Sequence, residues 1–127
     1  MPHVVASMLC VDLGIKGYSG SASCASVASA VALGDAYRLI AHGYMDRILY
    51  GGVDYNVSSN VITQGMEAFG ALCTTYNDKP EDACMPFDKK RCGTVIGDGG
   101  AFLILESEEA ALKRNAKKIY GEVAGVG

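Results

Sequence analysis

Three segments of the chain repeat apolar residues at the spacing of an α-helix. Pro2 can open a short helix in which Val4, Val5, Met8 and Leu9 recur at this spacing, and Gly14 follows as a stop. Segment 25–43 carries no charged residue in its first half, which predicts a helix that is buried on all sides there. A third helix is predicted after Ser107, an N-cap that is followed by acidic and then basic residues. The polar segment 54–80 is expected to form loops with one short helix.

Short apolar runs between turn residues predict the β-strands. The predicted strands are 18–23, 46–52, 93–97, 101–106 and 119–126. An Asp-Gly pair between two of these runs predicts a hairpin with its turn at 97–100. The order strand, helix, strand in the first part of the chain predicts a parallel crossover unit. Together the elements predict an α/β protein of one domain.

Composition narrows the classes of protein that remain. The chain has 127 residues, 50% hydrophobic and 20% charged, with a formal net charge of −3. A nucleic-acid surface needs clustered basic residues, and only the triplet 89–91 qualifies. The longest apolar run, 101–105, is far shorter than the roughly 20 residues of a membrane-spanning helix. The start of the chain has neither a basic leader nor a cleavage site, so we expect a cytoplasmic or organellar protein that is not secreted.

The cysteines and histidines show no metal-binding spacing. Five cysteines stand at 10, 24, 73, 84 and 92, an odd number without a C-x-x-C pair. This pattern indicates neither a disulfide framework nor a zinc site, and it favours a reducing compartment. The two histidines also lack ligand spacing. We therefore predict no metal and no cofactor.

Cys24 is the candidate for chemistry because it stands between small residues and the start of a predicted helix. Unpaired backbone N–H groups and the positive end of the helix dipole favour a thiolate at such a position. The same N–H groups stabilise an oxyanion that develops when a thioester is attacked. A structural thiol that packs as a small hydrophobic group is an equally open interpretation. The other four cysteines are expected to be core or loop thiols.

A general base for Cys24 is not evident in the sequence. His42 lies at the far end of the same predicted helix, about 27 Å away at 1.5 Å per residue. His3 lies in the opening helix, and nothing in the sequence directs it towards Cys24. The chain therefore has a candidate nucleophile without a visible acid or base.

Five segments of the chain resemble, in order and spacing, the β-ketoacyl-acyl carrier protein synthases of the chain-elongating type. The segments are SASCAS with the Ala-rich helix after it, GYMDRILYGGVD, ALCTTYND, PFDKKRCGTVIGDGGAFLILE and AKKIYGEVAGVG. The resemblance covers essentially the whole chain. It implies a thiolase-like layered α/β/α/β/α fold, of which residues 1–127 are about a third. They would run from the nucleophile-bearing segment of the N-terminal half to the start of the C-terminal half.

The resemblance also implies an activity in fatty-acid biosynthesis. The cysteine that matches Cys24 accepts an acyl chain as a thioester, with its own backbone N–H as one oxyanion donor. Malonyl-carrier protein then loses carbon dioxide, and the resulting carbanion attacks that thioester. The implied partners are acyl carrier protein, malonyl-carrier protein and a second copy of the chain, paired through strand 18–23, or a larger assembly. The turn at 97–100 matches a structural turn of the family, so Asp98 is given no catalytic role.

The sequence departs from the family pattern at several positions. The two family histidines that promote decarboxylation match motifs beyond this segment, so the chain alone is expected to be inactive. Four residues differ from the usual family residue: Tyr18 replaces proline, Val27 glycine, Cys92 aspartate and Thr94 phenylalanine. Valine adds a branched side chain where a backbone would approach closely.

Three functions follow from the sequence and the resemblance. The first is a fragment or reduced relative of the acyltransferase. The second is a catalytically incomplete, ketosynthase-like structural subunit of a larger assembly. The third, which needs no resemblance, is a thiol hydrolase whose base comes from a partner. A further expectation is that helix 25–43 exposes an apolar face or buries it against another chain. The predicted strands are enough for only one sheet, which cannot cover this helix on all sides.

Overall fold

The computed structural model describes residues 3–127, and this part of the chain contains four α-helices and two β-strands. Pro2, which was expected to open the first helix, lies outside the described residues. In chain order these are α1 (Val4–Leu13), α2 (Ala28–Ala41), β1 (Arg47–Asp54), α3 (Asn60–Ala68), β2 (Gly99–Glu106) and α4 (Glu108–Lys113). Two short 3-10 turns, Ala25–Val27 and Pro80–Asp82, complete the elements. The chain divides into two compact units. Unit 1 comprises Met1–Gly52 and Ala101–Gly127, and unit 2 comprises Val53–Gly100.

The helices that were predicted from local signals are confirmed. Gly14 ends α1 in the left-handed conformation, with φ of 65°, which glycine adopts without a steric penalty. The Ser107 hydroxyl accepts the backbone N–H of Ala110 at 3.2 Å and thereby caps α4. Helix α2 starts three residues later than predicted because Ala25–Val27 form a 3-10 turn. The short helix that was expected in the polar segment is α3.

The two strands pair with each other in an antiparallel sheet. At one end the Arg47 side chain contacts Glu106, and farther along β1 the backbone of Gly51 lies against Ala101 and Phe102. The predicted hairpin is therefore wrong, because β2 pairs with β1 and not with 93–97. That segment forms one parallel bridge, between Thr94 and Leu72.

The strands predicted at 18–23 and 119–126 are absent from the described part of the chain. A strand exists only where its backbone groups have a hydrogen-bonded neighbour. Neither segment pairs with a strand within residues 3–127. The predicted parallel crossover through 18–23 is wrong for the same reason.

An ion-pair cluster secures the end of the sheet in unit 1. Glu106 accepts hydrogen bonds from Nε of Arg47 at 3.1 Å and from Nε of Arg114 at 3.0 Å. Its side chain is only 11% exposed. The hydrogen bond from Arg114, with the second one from Arg47 and the charges of both, lowers the pKa of Glu106 although partial burial opposes the shift.

Very little of the chain is buried. The buried hydrophobic residues are Ala36, Ala83 and Ala111, and the described residues include no fully buried large side chain. The accessible surface is 10,070 Å², whereas a self-contained monomer of this mass exposes about 6,500 Å². Val31 of α2 is 39% exposed, and Val27, which directly precedes this helix, is 57% exposed. The predicted exposure of an apolar face on this helix is therefore confirmed.

Candidate active site at Cys24

Cys24 lies directly before the 3-10 turn Ala25–Val27, which continues into α2. Its thiol is exposed to solvent, so a buried structural thiol is not what this chain forms. Among residues 3–127 the Cys24 side chain forms no hydrogen bond, and its backbone N–H donates to no backbone carbonyl. The predicted position at the entry to a helix is confirmed.

Ala25 gives this turn its shape. Its φ of 52° places a residue with a Cβ in the left-handed region, which costs an L-residue roughly 1–2 kcal/mol. Such backbone strain is found at functional sites where a side chain must stand out from a sharp turn. The sequence did not reveal this conformation, because the usual signal for positive φ is glycine and the residue here is alanine.

The segment before Cys24 folds on itself. A Cβ on Gly20 would lie 2.7 Å from the hydroxyl oxygen of Tyr18, so the tyrosine side chain covers the glycine backbone. Tyr18 is one of the departures from the family pattern. This contact is local, and it accompanies the irregular backbone found where a strand was predicted.

Close approach between α2 and β1 positions the Cys24 turn on the sheet of unit 1. A Cβ on Gly52 would lie 2.3 Å from the hydroxyl oxygen of Ser29, one turn after the cysteine. Beside this contact is a cavity of about 150 Å³. Its lining residues are Ser29, Tyr50, Gly51, Gly52, Ala101 and Leu103. Gly52 of β1 is therefore needed to admit the helix.

A second cavity, of about 310 Å³, runs along another face of α2. Its lining residues are Val27, Ala30, Val31, Gly34, Arg38, Val126 and Gly127. Val27, the branched residue in place of the family glycine, stands at the edge of this open space. Its side chain has room within this chain.

The structure brings neither histidine to Cys24. His42 is the C-cap of α2, so 14 helical residues and a 3-10 turn separate it from the cysteine by about 27 Å. His3 is the N-cap of α1. Residues 3–127 also contain no cluster of histidine, cysteine, aspartate and glutamate that could hold a metal ion. Within residues 3–127, the candidate nucleophile Cys24 therefore has no histidine beside it that could act as a base.

Asp98 has a structural role in unit 2. Its carboxylate accepts the backbone N–H of Asn56 at 2.6 Å and that of Val57 at 2.9 Å. These two bonds hold the chain where it leaves β1. The carboxylate is therefore engaged by the backbone, in agreement with the structural role that the family turn implies.

A disulfide between Cys73 and Cys92 was missed by the sequence analysis. The two cysteines stand 19 positions apart in an odd set of five, which is no recognised disulfide or metal pattern. The expectation of free thiols is therefore wrong for this pair. Cys10, Cys24 and Cys84 are free.

No helix within residues 3–127 has both the length and the apolar character that crossing a membrane requires.

Known proteins similar to this chain are ketosynthases. A 3-oxoacyl-[acyl-carrier-protein] synthase 2 of Synechocystis sp. is 39% identical over 129 residues, which cover 98% of this chain and 30% of the relative. A β-ketoacyl synthase from Burkholderia phymatum STM815 superposes with a TM-score of 0.82 at 35% identity, covering 91% of this chain and 28% of that one.

A second solved structure also contains a carrier protein. It is the AntDE:AntF complex, a type II polyketide synthase acyl-carrier protein with its ketosynthase bound to the hexaketide. One of its chains matches with a TM-score of 0.80 at 32% identity, over 87% of this chain and 27% of its own length. The present chain thus spans about 30% of the length of the Synechocystis relative. These structural similarities confirm the predicted thiolase-like fold.

Residues 1–111 match the family model described as "Beta-ketoacyl synthase, N-terminal domain". This match covers most of the chain and includes Cys24 with the turn that carries it. The chain therefore belongs to the β-ketoacyl synthase family.

Proposed function

We propose that this chain is the nucleophile-bearing part of a 3-oxoacyl-acyl carrier protein synthase that acts in fatty-acid biosynthesis. The observation that carries the proposal is the exposed Cys24 at a sharp turn into α2, in a chain of the β-ketoacyl synthase family. Residues 1–127 would extend from the nucleophile segment of the N-terminal half to the start of the C-terminal half.

The reaction begins with acyl transfer to Cys24. The cysteine sulfur attacks the carbonyl carbon of an acyl thioester on carrier protein, a new C–S bond forms, and the carrier thiol leaves. The backbone N–H of Cys24 donates a hydrogen bond to the oxyanion of the tetrahedral intermediate. Malonyl-carrier protein then loses carbon dioxide, its carbanion attacks the acyl carbonyl, and the Cys24 sulfur leaves as the new C–C bond forms.

The second step needs groups that this chain does not supply. Decarboxylation produces an enolate, which requires hydrogen-bond donors or positive charge for its stabilisation. The two family histidines that stabilise the enolate match no residue of this chain. His42 lies at the C-terminal end of α2, far from Cys24. Alone, the chain therefore performs at most the transfer to Cys24.

The partners follow from the same proposal. They are acyl carrier protein, malonyl-carrier protein and a second copy of the chain, which would pair through 18–23. The carrier protein beside one structural neighbour supports the first of these partners. The compartment is the cytoplasm or an organelle.

A structural subunit of a larger assembly is the second candidate. The large exposed surface and the absence of a base beside Cys24 favour it, because a packing element needs apolar surface and no catalytic groups. In that case Cys24 carries no acyl chain.

The test is acylation by an acyl-carrier protein thioester, with the modified residue identified by mass spectrometry of peptides. We expect the acyl group on Cys24 and its loss in Cys24→Ala. Cys84→Ala is the matched control, because Cys84 is a second exposed free thiol. Equal acylation of Cys24 and Cys84, or none, would favour the structural subunit. Formation of a 3-oxoacyl product by the chain alone would contradict the assignment of the missing groups.

A further inference from the structure

We propose that the Cys73–Cys92 disulfide of unit 2 is a reversible redox link. A dithiol reductant opens this bond, and the enclosed loop 74–91 is then less constrained. This inference is independent of the proposed ketosynthase activity, since it concerns neither Cys24 nor an acyl group.

The backbone beside the two cysteines keeps them close together. The N–H of Cys73 donates to the carbonyl of Thr94 at 3.0 Å, and the N–H of Thr94 donates to the carbonyl of Ala71 at 2.7 Å. Gly93, with φ of 139°, brings the two segments so near that a Cβ would lie 2.7 Å from the carbonyl carbon of Leu72. These contacts do not depend on the S–S bond, so the reduced thiols remain neighbours and can be oxidised again.

The enclosed loop has no other long-range hydrogen bond within residues 3–127. Its own bonds are local, for example Lys79 N–H to Tyr76 and Arg91 N–H to Asp88. Its one buried hydrophobic residue is Ala83. The disulfide is therefore the only covalent or side-chain link among the described residues that closes the loop across its ends.

The size of the effect follows from the loop length. The disulfide joins two residues that are 19 positions apart in the sequence. The conformational entropy that such a link removes from the open loop corresponds to a factor on the order of 200 in the ratio of open to closed loop. Reduction is expected to raise this ratio. The rise stays within that factor, because two backbone hydrogen bonds still hold the ends of the loop when the S–S bond is open.

The exchange with a dithiol balances as a two-electron step. One thiolate of the reductant attacks a sulfur of the pair, forming a mixed disulfide and releasing the other cysteine as a thiolate. The second thiol of the reductant then displaces the first cysteine. Cys73 and Cys92 end as two thiols, having gained two electrons and two protons, and the dithiol ends as its disulfide. Both cysteines are half-buried, so the thiolate of the reductant can reach a sulfur atom of the pair.

The first experiment counts thiols after equilibration in buffers of graded ratio of reduced to oxidised dithiothreitol, with maleimide labelling and peptide mass spectrometry. We expect labels on Cys10, Cys24 and Cys84 at the oxidising end, and on all five cysteines at the reducing end. Gly93→Ala should shift the Cys73–Cys92 transition towards more oxidising buffer, because its Cβ separates the two segments. Five labelled cysteines under every condition, or a pair that dithiothreitol does not reduce, would overturn the proposal.

The second experiment measures trypsin cleavage within the loop, at Lys89 and Lys90, relative to cleavage at Lys16 in unit 1. We expect the relative rate to rise at least about tenfold on reduction, within the limit set by loop closure. Cys92→Ser should reproduce this rise without reductant, whereas Cys84→Ser should behave as the unaltered chain. A relative rate that is the same in oxidised and reduced protein would show that the disulfide does not control the loop.

Discussion

Replacement of Gly51 by alanine tests how the sheet that supports the Cys24 turn is built. A Cβ at this position would lie 2.3 Å from the backbone oxygen of Ala101 and 2.4 Å from Cδ1 of Phe102. Real Cβ contacts essentially never come under 3.0 Å, so the atoms must move apart by roughly 0.7 Å. One of these atoms belongs to the backbone of β2 and cannot rotate away. The strands must therefore separate locally.

We expect Gly51→Ala to lower the free energy of unfolding by about 3 kcal/mol, the upper part of the range for overpacking. Urea titration followed by far-UV circular dichroism measures the change. Gly65→Ala is the matched control, because Gly65 lies within α3 and a Cβ there meets nothing within 4 Å. That variant should be more stable by about 1 kcal/mol, since alanine is the better helix former. Equal stability of Gly51→Ala and the unaltered chain would refute the close approach of β1 and β2.

Three further predictions concern other parts of the chain. Iodoacetamide in substoichiometric amount at neutral pH should label Cys24 before Cys84, because both thiols are exposed but only Cys24 stands at a helix entry; faster labelling of Cys84, read by peptide mapping, would contradict this. Glu106→Gln should lower the free energy of unfolding at neutral pH. The pKa of Glu106 is lowered in the folded protein, so its stabilising effect is complete above the ordinary carboxyl pKa and is lost as the pH falls through the folded pKa. The free energies of unfolding of the two proteins should therefore become equal in acid. A difference that persists in acid would be evidence against the ion pairs. Asp98→Asn should cost about 1 kcal/mol and speed amide hydrogen exchange at Asn56 and Val57, and unchanged exchange would contradict the two bonds.

Local signals in the sequence were sufficient for the helices and for the position of the candidate nucleophile. Gly14 ends α1 and Ser107 begins α4, because a positive φ and a capping hydroxyl depend on one residue and its near neighbours. The placement of Cys24 before a helix follows from the same kind of signal. The exposed face of α2 was also predicted, although the sequence overestimated the strands available to cover it: five were predicted, and the described part of the chain has two.

The pairing of segments that are distant in the chain was decided only by the tertiary structure. An apolar run such as 101–106 shows that a strand forms but not which partner it takes, so β2 pairs with β1 where a hairpin was predicted. Segment 18–23 was predicted as a strand yet pairs with no strand within the described chain. The Cys73–Cys92 bond and the left-handed Ala25 depend on how the surrounding backbone is held, and a linear pattern carries no such information. Capping and periodicity act over a few residues, whereas strand partners, disulfides and strained turns are selected by the free energy of the whole fold.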